Sequence, residues 1–393
     1  MNRFTSNGPM ARHIVSVVGS MTAVSLIGLL SGCGGSSGGD VTARDTGASA
    51  SPSASPSASP TATPTPAAFS GALTRSDAQM RTVLETFLSQ NPTPLYTLSP
   101  TAARGVPSIQ DAQNILLQER GQAVQEAVAS AANRIIPGGP GGDLMTRVYT
   151  PSGTGPFPVI VYFHGGGWVV ATIDTYDASC RALANTAQAV VVSVEYRKGP
   201  ENPFPAAHED AYYATQYVIQ NAASFGGDPN RVAVAGESAG GNLAAATCIL
   251  ARERGGRLPV YQLLVYPIAD TDVTRPSYVE NANAIPLNLP SAQYFVNNYL
   301  PNTANRSDRL IKLVSANLQG LPPATVITAE IDPLRSEGQD LVTRLQAAGV
   351  SVQSRNYTGV THEFFSLNRV VDKGRDAVTF GAQGLRSAFG TAQ

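Results

Sequence analysis

The stretch that most constrains this chain is Gly236-Glu237-Ser238-Ala239-Gly240. It lies between a run of β-branched and small residues at 231–235 and a helix-forming segment at 242–253. A glycine two residues before a serine and another two after fit a nucleophile elbow, a strained turn from strand to helix that lifts the serine hydroxyl above a sheet. The neighbours must be tiny because the backbone doubles back on itself there. The helix behind the turn aims its partial positive end at the hydroxyl. A glycine-rich turn with an incidental serine has the same five letters, so the rest of the chain has to separate the two readings.

Strand and helix patterns alternate through most of the chain. Continuous apolar runs at 158–163 and 189–194 suit buried parallel strands, and further strands are expected at 261–266, 325–329 and 350–357. An edge strand is expected at 145–150. Helices are expected at 207–220, 337–348 and 370–389. This rhythm predicts an α/β fold with a mostly parallel central sheet covered by helices on both faces. Two departures flank it. Residues 71–135 read as helices ahead of the first buried strand, packed outside the sheet as part of a cap. Residues 270–310, interrupted by Pro276, Pro286, Pro290 and Pro301, read as a lid insertion.

Acyl transfer by a serine needs a base, an acid that orients the base, and amides that hold the oxyanion. Ser238, Asp332 and His362 occur in the order nucleophile, acid, histidine that follows from an elbow of this kind, each just after an expected strand. Sites in parallel sheets lie at the carboxyl ends of the strands, so the three can converge. Glu330 lies within a strand run and Asp340 inside a helix, which makes both poorer acids. His13 falls in the N-terminal segment, and His208 in a helix after a proline-rich loop, where a surface or core role is expected. His164-Gly165-Gly166-Gly167-Trp168 follows the 158–163 strand. Its glycines let the backbone approach a ligand, and segments of this type form half of an oxyanion hole. The expected donors are the amides of Gly165, Gly166 and Ala239, with His164 and Gly167 supporting the loop. Glu237 is expected to bond the glycine loop rather than to act in the chemistry.

At 393 residues and 42% apolar content, the chain can bury a large core, and its net charge of −1 points away from nucleic acid. Ser366 stands where a zinc-binding helix beginning His362-Glu363 would need its second histidine, so a metal is not expected. Cys180 and Cys248 are expected in helices on opposite faces of the sheet, unbonded. Residues 1–33 read as a secretory signal, with Arg3 and Arg12 before an apolar run. Leu30-Ser31-Gly32-Cys33 resembles a bacterial lipobox, which implies lipidation of Cys33 and a membrane anchor. Gly34 after the cysteine implies an outer-membrane destination in the cell envelope. Residues 34–70, rich in Ser, Pro, Thr and Gly, read as a solvated spacer. Residues 71–393 read as the catalytic domain.

Taken together, His164-Gly165-Gly166-Gly167-Trp168, Tyr196-Arg197, Pro205-Ala206-Ala207, Gly236-Glu237-Ser238-Ala239-Gly240-Gly241, Asp332-Pro333-Leu334-Arg335 and the late His362 resemble the hormone-sensitive lipase family of bacterial esterases, within the α/β-hydrolases. The resemblance covers nearly everything from about Ala72 onward. It implies an α/β-hydrolase fold with a helical cap, short-to-medium acyl esters as substrates, and no cofactor. The chain departs from the family in three places. Glu237 replaces the commoner Asp or Thr, Ser336 a frequent Asp, and Glu363 the usual glycine after the histidine. Glu363 is expected to alter the rim of the site and to disfavour anionic groups there. An amidase, lactonase or deacetylase on the same fold, or a non-catalytic ligand-binding module, remains open on the motifs alone. The motifs set no oligomeric state.

Overall fold

The computed structural model describes residues 70–391; the signal, the lipobox with Cys33 and nearly all of the spacer lie outside the described residues. Eight strands form one sheet: β1 (Ser130–Gly139), β2 (Gly142–Thr150), β3 (Phe157–Phe163), β4 (Val190–Val194), β5 (Gly227–Glu237), β6 (Gln262–Val265), β7 (Ala324–Ile331) and β8 (Val352–Thr361). Their order is β1-β2-β4-β3-β5-β6-β7-β8. The β1–β2 and β2–β4 pairs are antiparallel, and every other pair is parallel.

The side-chain alternation of the central strands divides the core between two faces. Val159, Val161 and Phe163 point to one face with Val192, Val234, Leu264 and Val326. Helices α6 (Ala206–Gln220), α7 (Ala239–Glu253) and α10 (Arg335–Ala347) cover it. Ile160 and Tyr162 point to the other with Val191, Ala233, Leu263 and Ile327, under α5 (Asp177–Ala187) and α11 (Asp372–Ala388). Burial on both sides is why these strands read as continuous apolar runs. Cys180 belongs to the α5 face and Cys248 to the α7 face, both as free thiols, with the sheet between them.

The amino-terminal part departs from the expected pattern. Helices α1 (Ser70–Arg75), α2 (Ala78–Ser89), α3 (Pro100–Ala103) and α4 (Ile109–Glu119) come first, and the helical stretch then ends. Residues expected to continue it enter β1, so position 135 falls inside a strand, and β2 is the second strand rather than the edge. β1 concealed itself because Ile136 is its only buried residue; an outer strand wet on both faces shows no apolar alternation. Ile135 and Met145, both substantially exposed, face each other across the β1–β2 pair and cover part of each other's apolar surface.

Helices α2 and α4 are well specified locally. Asp77 caps α2 by accepting from the Met80 amide. Ser108 and Asp111 form a reciprocal capping box on α4. Their apolar stripes, Met80, Val83 and Leu84 on one and Ile109, Ala112 and Leu117 on the other, are buried in the same core as α5 and α11. The 270–310 insertion carries α8 (Pro276–Glu280) and α9 (Leu289–Tyr299). Both pieces contribute to the wall of a cavity at the carboxyl ends of the parallel strands.

Candidate active site

Ser238 sits between β5 and α7 with φ 58° and ψ −118°, in a region that ordinary side chains avoid. A Cβ on Gly236 would overlap the Gly240 carbonyl oxygen, and one on Gly240 would overlap the carbonyl oxygen of Phe163, at the end of the neighbouring strand. The two glycines are therefore required by close backbone approach. The turn is held by the Ser238 amide donating to Val265 O (2.9 Å) and by Ser238 O accepting from the amides of Asn242 (3.1 Å) and Ile268 (3.2 Å).

His362 directly follows β8, and Asp332 directly follows β7. His362 Nε2 lies 3.0 Å from Ser238 Oγ, and His362 Nδ1 lies 2.7 Å from Asp332 Oδ2. A carboxylate can only accept, so Nδ1 carries the proton, and Nε2 is free to accept from the serine hydroxyl. The second Asp332 oxygen accepts from the Leu334 amide at 2.9 Å, which fixes the carboxylate in an interior that excludes water. Burial works against an imidazolium at His362, but the Asp332 carboxylate, with Glu363 and Glu237 farther off, outweighs it and raises the His362 pKa above its ordinary value. The rival acids are engaged elsewhere. Glu330 binds Arg75 and the Gly359 amide, and Asp340 pairs with Arg275 and Arg344.

Glu237 does not bond the glycine loop through its side chain. Its two oxygens accept from the hydroxyls of Tyr162 and Tyr266 in very short hydrogen bonds. It is the last residue of β5, so strand alternation points its side chain to the sheet face opposite α7, where those tyrosines are buried. Burial pushes its pKa up to about 7. The Tyr266 ring in turn lies against His362, with centroids 4.5 Å apart. Tyr266 was not picked out from the sequence; its only signal is an aromatic residue at the carboxyl end of a central strand.

The glycine loop follows β3. The Gly165 carbonyl lies 2.7 Å from His164 Nδ1 and 3.2 Å from the Tyr196 hydroxyl, and the Gly166 carbonyl accepts from the amides of Val169 and Val170. In a trans peptide the next N–H points the opposite way, so the amides of Gly166 and Gly167 turn outward. Gly166 (φ 97°) and Gly167 (φ 59°) line the cavity with Ser238, whereas Gly165 packs against the Tyr176 hydroxyl and the Glu237 carbonyl. The His164 carbonyl likewise accepts from the Tyr196 hydroxyl (2.8 Å), so by the same geometry the Gly165 amide turns outward beside that of Gly166. Ala239 opens α7, where the first amides have no acceptor within the helix. His164 braces the loop as expected. It is buried, stacked on Tyr196 (4.3 Å), and burial lowers its pKa to about 4, so it stays neutral and donates from Nδ1 to Gly165 O. His208 is a core residue between the Tyr299 hydroxyl and Asn242 Oδ1, each at 2.9 Å.

The cavity above Ser238 has a volume of about 590 Å³. Phe87, Leu88 and Leu95 wall one side, and Ile285, Leu287 and Phe295 from the insertion wall another. Glu363 lines it beside His362 and accepts from the Tyr176 hydroxyl and from Gln110 Nε2 on α4. Gln110 also donates to Ser366 Oγ. Gln113, one turn on, donates to Ser366 O and accepts from the Arg369 amide.

A family model described as the alpha/beta hydrolase fold matches residues 160–366, the span from β3 through the histidine loop. This chain belongs to the α/β-hydrolase family. Within that family its relatives are esterases of the hormone-sensitive lipase group. The chain is 43% identical over 252 residues to the carboxylesterase NlhH of Mycobacterium tuberculosis, covering 63% of this chain and 79% of NlhH. Among solved structures it is similar to EstE1, a thermostable carboxylesterase cloned from a metagenomic library (40% identity, TM-score 0.69, 75% of this chain and 98% of EstE1). It is also similar to a serine-to-alanine mutant of LAE6, an α/β-hydrolase from the metagenome of Lake Arreo, Spain (34% identity, TM-score 0.74, 81% of this chain and 100% of LAE6). The α/β-hydrolase elbow explains the first outcome to be measured. Gly240→Ala must push the turn away from β3, because the obstructing atoms are backbone. The substitution is expected to cost ~1–3 kcal/mol or more, read as a lower urea midpoint with a loss of ester hydrolysis. A variant as stable and active as the parent would contradict the close approach described.

Proposed function

We propose that this chain is a serine carboxylesterase acting on esters of short to medium acyl chains. The observation that carries the reading is a single imidazole, His362, within hydrogen-bond reach of both Ser238 Oγ and Asp332 on the wall of a cavity lined in part by apolar side chains. His362 Nε2 takes the hydroxyl proton as Ser238 Oγ attacks the ester carbonyl carbon. Asp332 holds the ring in the required tautomer and stabilises the imidazolium. The amides of Gly165, Gly166 and Ala239 receive the oxyanion; one such donor is worth ~10²–10³ in rate. The imidazolium then protonates the departing alcohol, and water, activated by the same nitrogen, releases the acyl group. The apolar cap side chains give the acyl chain a surface to lie on, and the cavity has the size of a small-molecule site. The names of the relatives, carboxylesterases among them, support the same chemistry.

The amino-terminal segment supports a second proposal, that the protein is exported and tethered to the bacterial envelope through lipidated Cys33, with 34–70 as spacer.

Hydrolysis of p-nitrophenyl esters from acetate to long chains is expected to favour the short members. It should fall more than ~10³-fold in Ser238→Ala; persistence of activity in that variant would remove the serine mechanism. Because the raised His362 pKa must be exceeded before the ring is neutral, kcat/KM should rise with pH through a midpoint above 6.5, the ordinary value. A midpoint below 6.5 would contradict the electrostatic account. For the tether, the full chain expressed in a bacterial host should incorporate labelled palmitate and sediment with membranes, and Cys33→Ala should do neither; unlabelled, soluble parent protein would sink the proposal.

A further inference from the structure

Glu363 is held in a backbone conformation that suits glycine, with φ 73°. A side chain at this position strains the backbone. Its family departure therefore calls for a physical role, and its contacts indicate one. Glu363 Oε2 accepts from Gln110 Nε2 (3.0 Å) and the Tyr176 hydroxyl (2.9 Å). Glu363 Oε1 accepts from the same Tyr176 hydroxyl (2.7 Å) and from nothing else among the described residues, which leaves it a free acceptor position. That oxygen is also the one nearer the reacting groups, 3.8 Å from His362 Nε2. This separation is too long for a direct hydrogen bond, yet one oxygen atom can sit ~2.9 Å from both. The two residues line the cavity together with Ser238.

We propose that Glu363 Oε1 and His362 Nε2 jointly hold the water that cleaves the acyl-enzyme, which makes Glu363 a water-positioning residue. The proposal rests on the serine-esterase reading above. The water donates one hydrogen to His362 Nε2 and the other to Glu363 Oε1. As the water oxygen attacks the acyl carbonyl carbon, the first proton passes to Nε2, and the carbonyl π pair moves to the oxyanion. The second hydrogen stays on the attacking oxygen, now hydrogen-bonded to Glu363, which gains no proton. Collapse of the intermediate breaks the bond to Ser238 Oγ. That oxygen takes the proton from Nε2, leaving a carboxylic acid and free serine. The carboxylate fixes the direction of the water's lone pair at the acyl carbon, which a single hydrogen bond to the imidazole leaves free to swing.

Methanol separates this role from a structural one. Its only O–H hydrogen goes to His362 Nε2, so it gains nothing from Glu363, whereas water does. The full chain and its Glu363→Gly variant would hydrolyse p-nitrophenyl butyrate in aqueous buffer with a fixed fraction of methanol, and methyl butyrate and butyric acid would be counted. Glycine relaxes the backbone at φ 73°, and the ratio of methyl ester to acid should rise about fivefold or more. Glu363→Gln, which keeps the size of the side chain but is a weaker acceptor, should raise the ratio less, and it serves as the measured variant if glycine impairs folding. An unchanged ratio in the folded variants, with both products falling together, would assign Glu363 to loop shape alone and overturn the proposal. If the parent forms neither product, or Ser238→Ala still forms both, the esterase reading itself has failed, and that outcome is distinct from the first.

Discussion

The contact on which the site depends is the approach of the Gly240 backbone to the Phe163 carbonyl at the end of β3. It brings the serine turn and the glycine loop, which lie 71 residues apart in the chain (Gly236 minus Gly165), onto the ends of paired neighbouring strands. The parallel register of Phe163 with Gly236 sets the height of both. The strained Ser238 backbone persists because β5 and α7, on either side of it, are buried along most of their length. Ser238 and the glycine loop are in this sense one unit, set by two adjacent strands rather than by a loop that has to find its place.

Electrostatics then decide how that object works. Three carboxylates, Asp332, Glu237 and Glu363, surround His362, and each is held by a different kind of donor. Asp332 takes a backbone amide and the imidazole, Glu237 two tyrosine hydroxyls, and Glu363 a tyrosine hydroxyl and an amide side chain. Burial raises the pKa values of Glu237 and Glu363, so these two carry their charge less readily than exposed carboxylates do. Asp332 has the short contact to Nδ1 and dominates the imidazole, and the others adjust it. Tyr266 links two of these groups, with its ring on His362 and its hydroxyl on Glu237.

Much of this was legible in the sequence because close approach and covalent spacing leave marks. The elbow glycines, the acid after β7 and the histidine after β8 stand at positions that backbone geometry dictates, and they come together as expected. What the sequence concealed depends on direction or on solvation. The direction of the glycine loop depends on the Tyr196 hydroxyl, which binds the His164 and Gly165 carbonyls from a distant part of the chain. Position in the chain suggests that Glu237 bonds the glycine loop, but strand alternation sends its side chain to Tyr162 and Tyr266 instead. The helical expectation for 71–135 runs into the first residues of β1 because an exposed outer strand has no apolar period to detect.

The bonds from Gln110 and Gln113 to the segment after His362 bear on how such enzymes can be altered. Helix α4 is at once a wall of the cavity and a brace for the loop that carries His362. Cap and hydrolase are therefore not separable modules. A graft that replaced 78–119 to admit a new substrate would also release the histidine loop, so a change of specificity made this way would alter the rate of the chemistry as well.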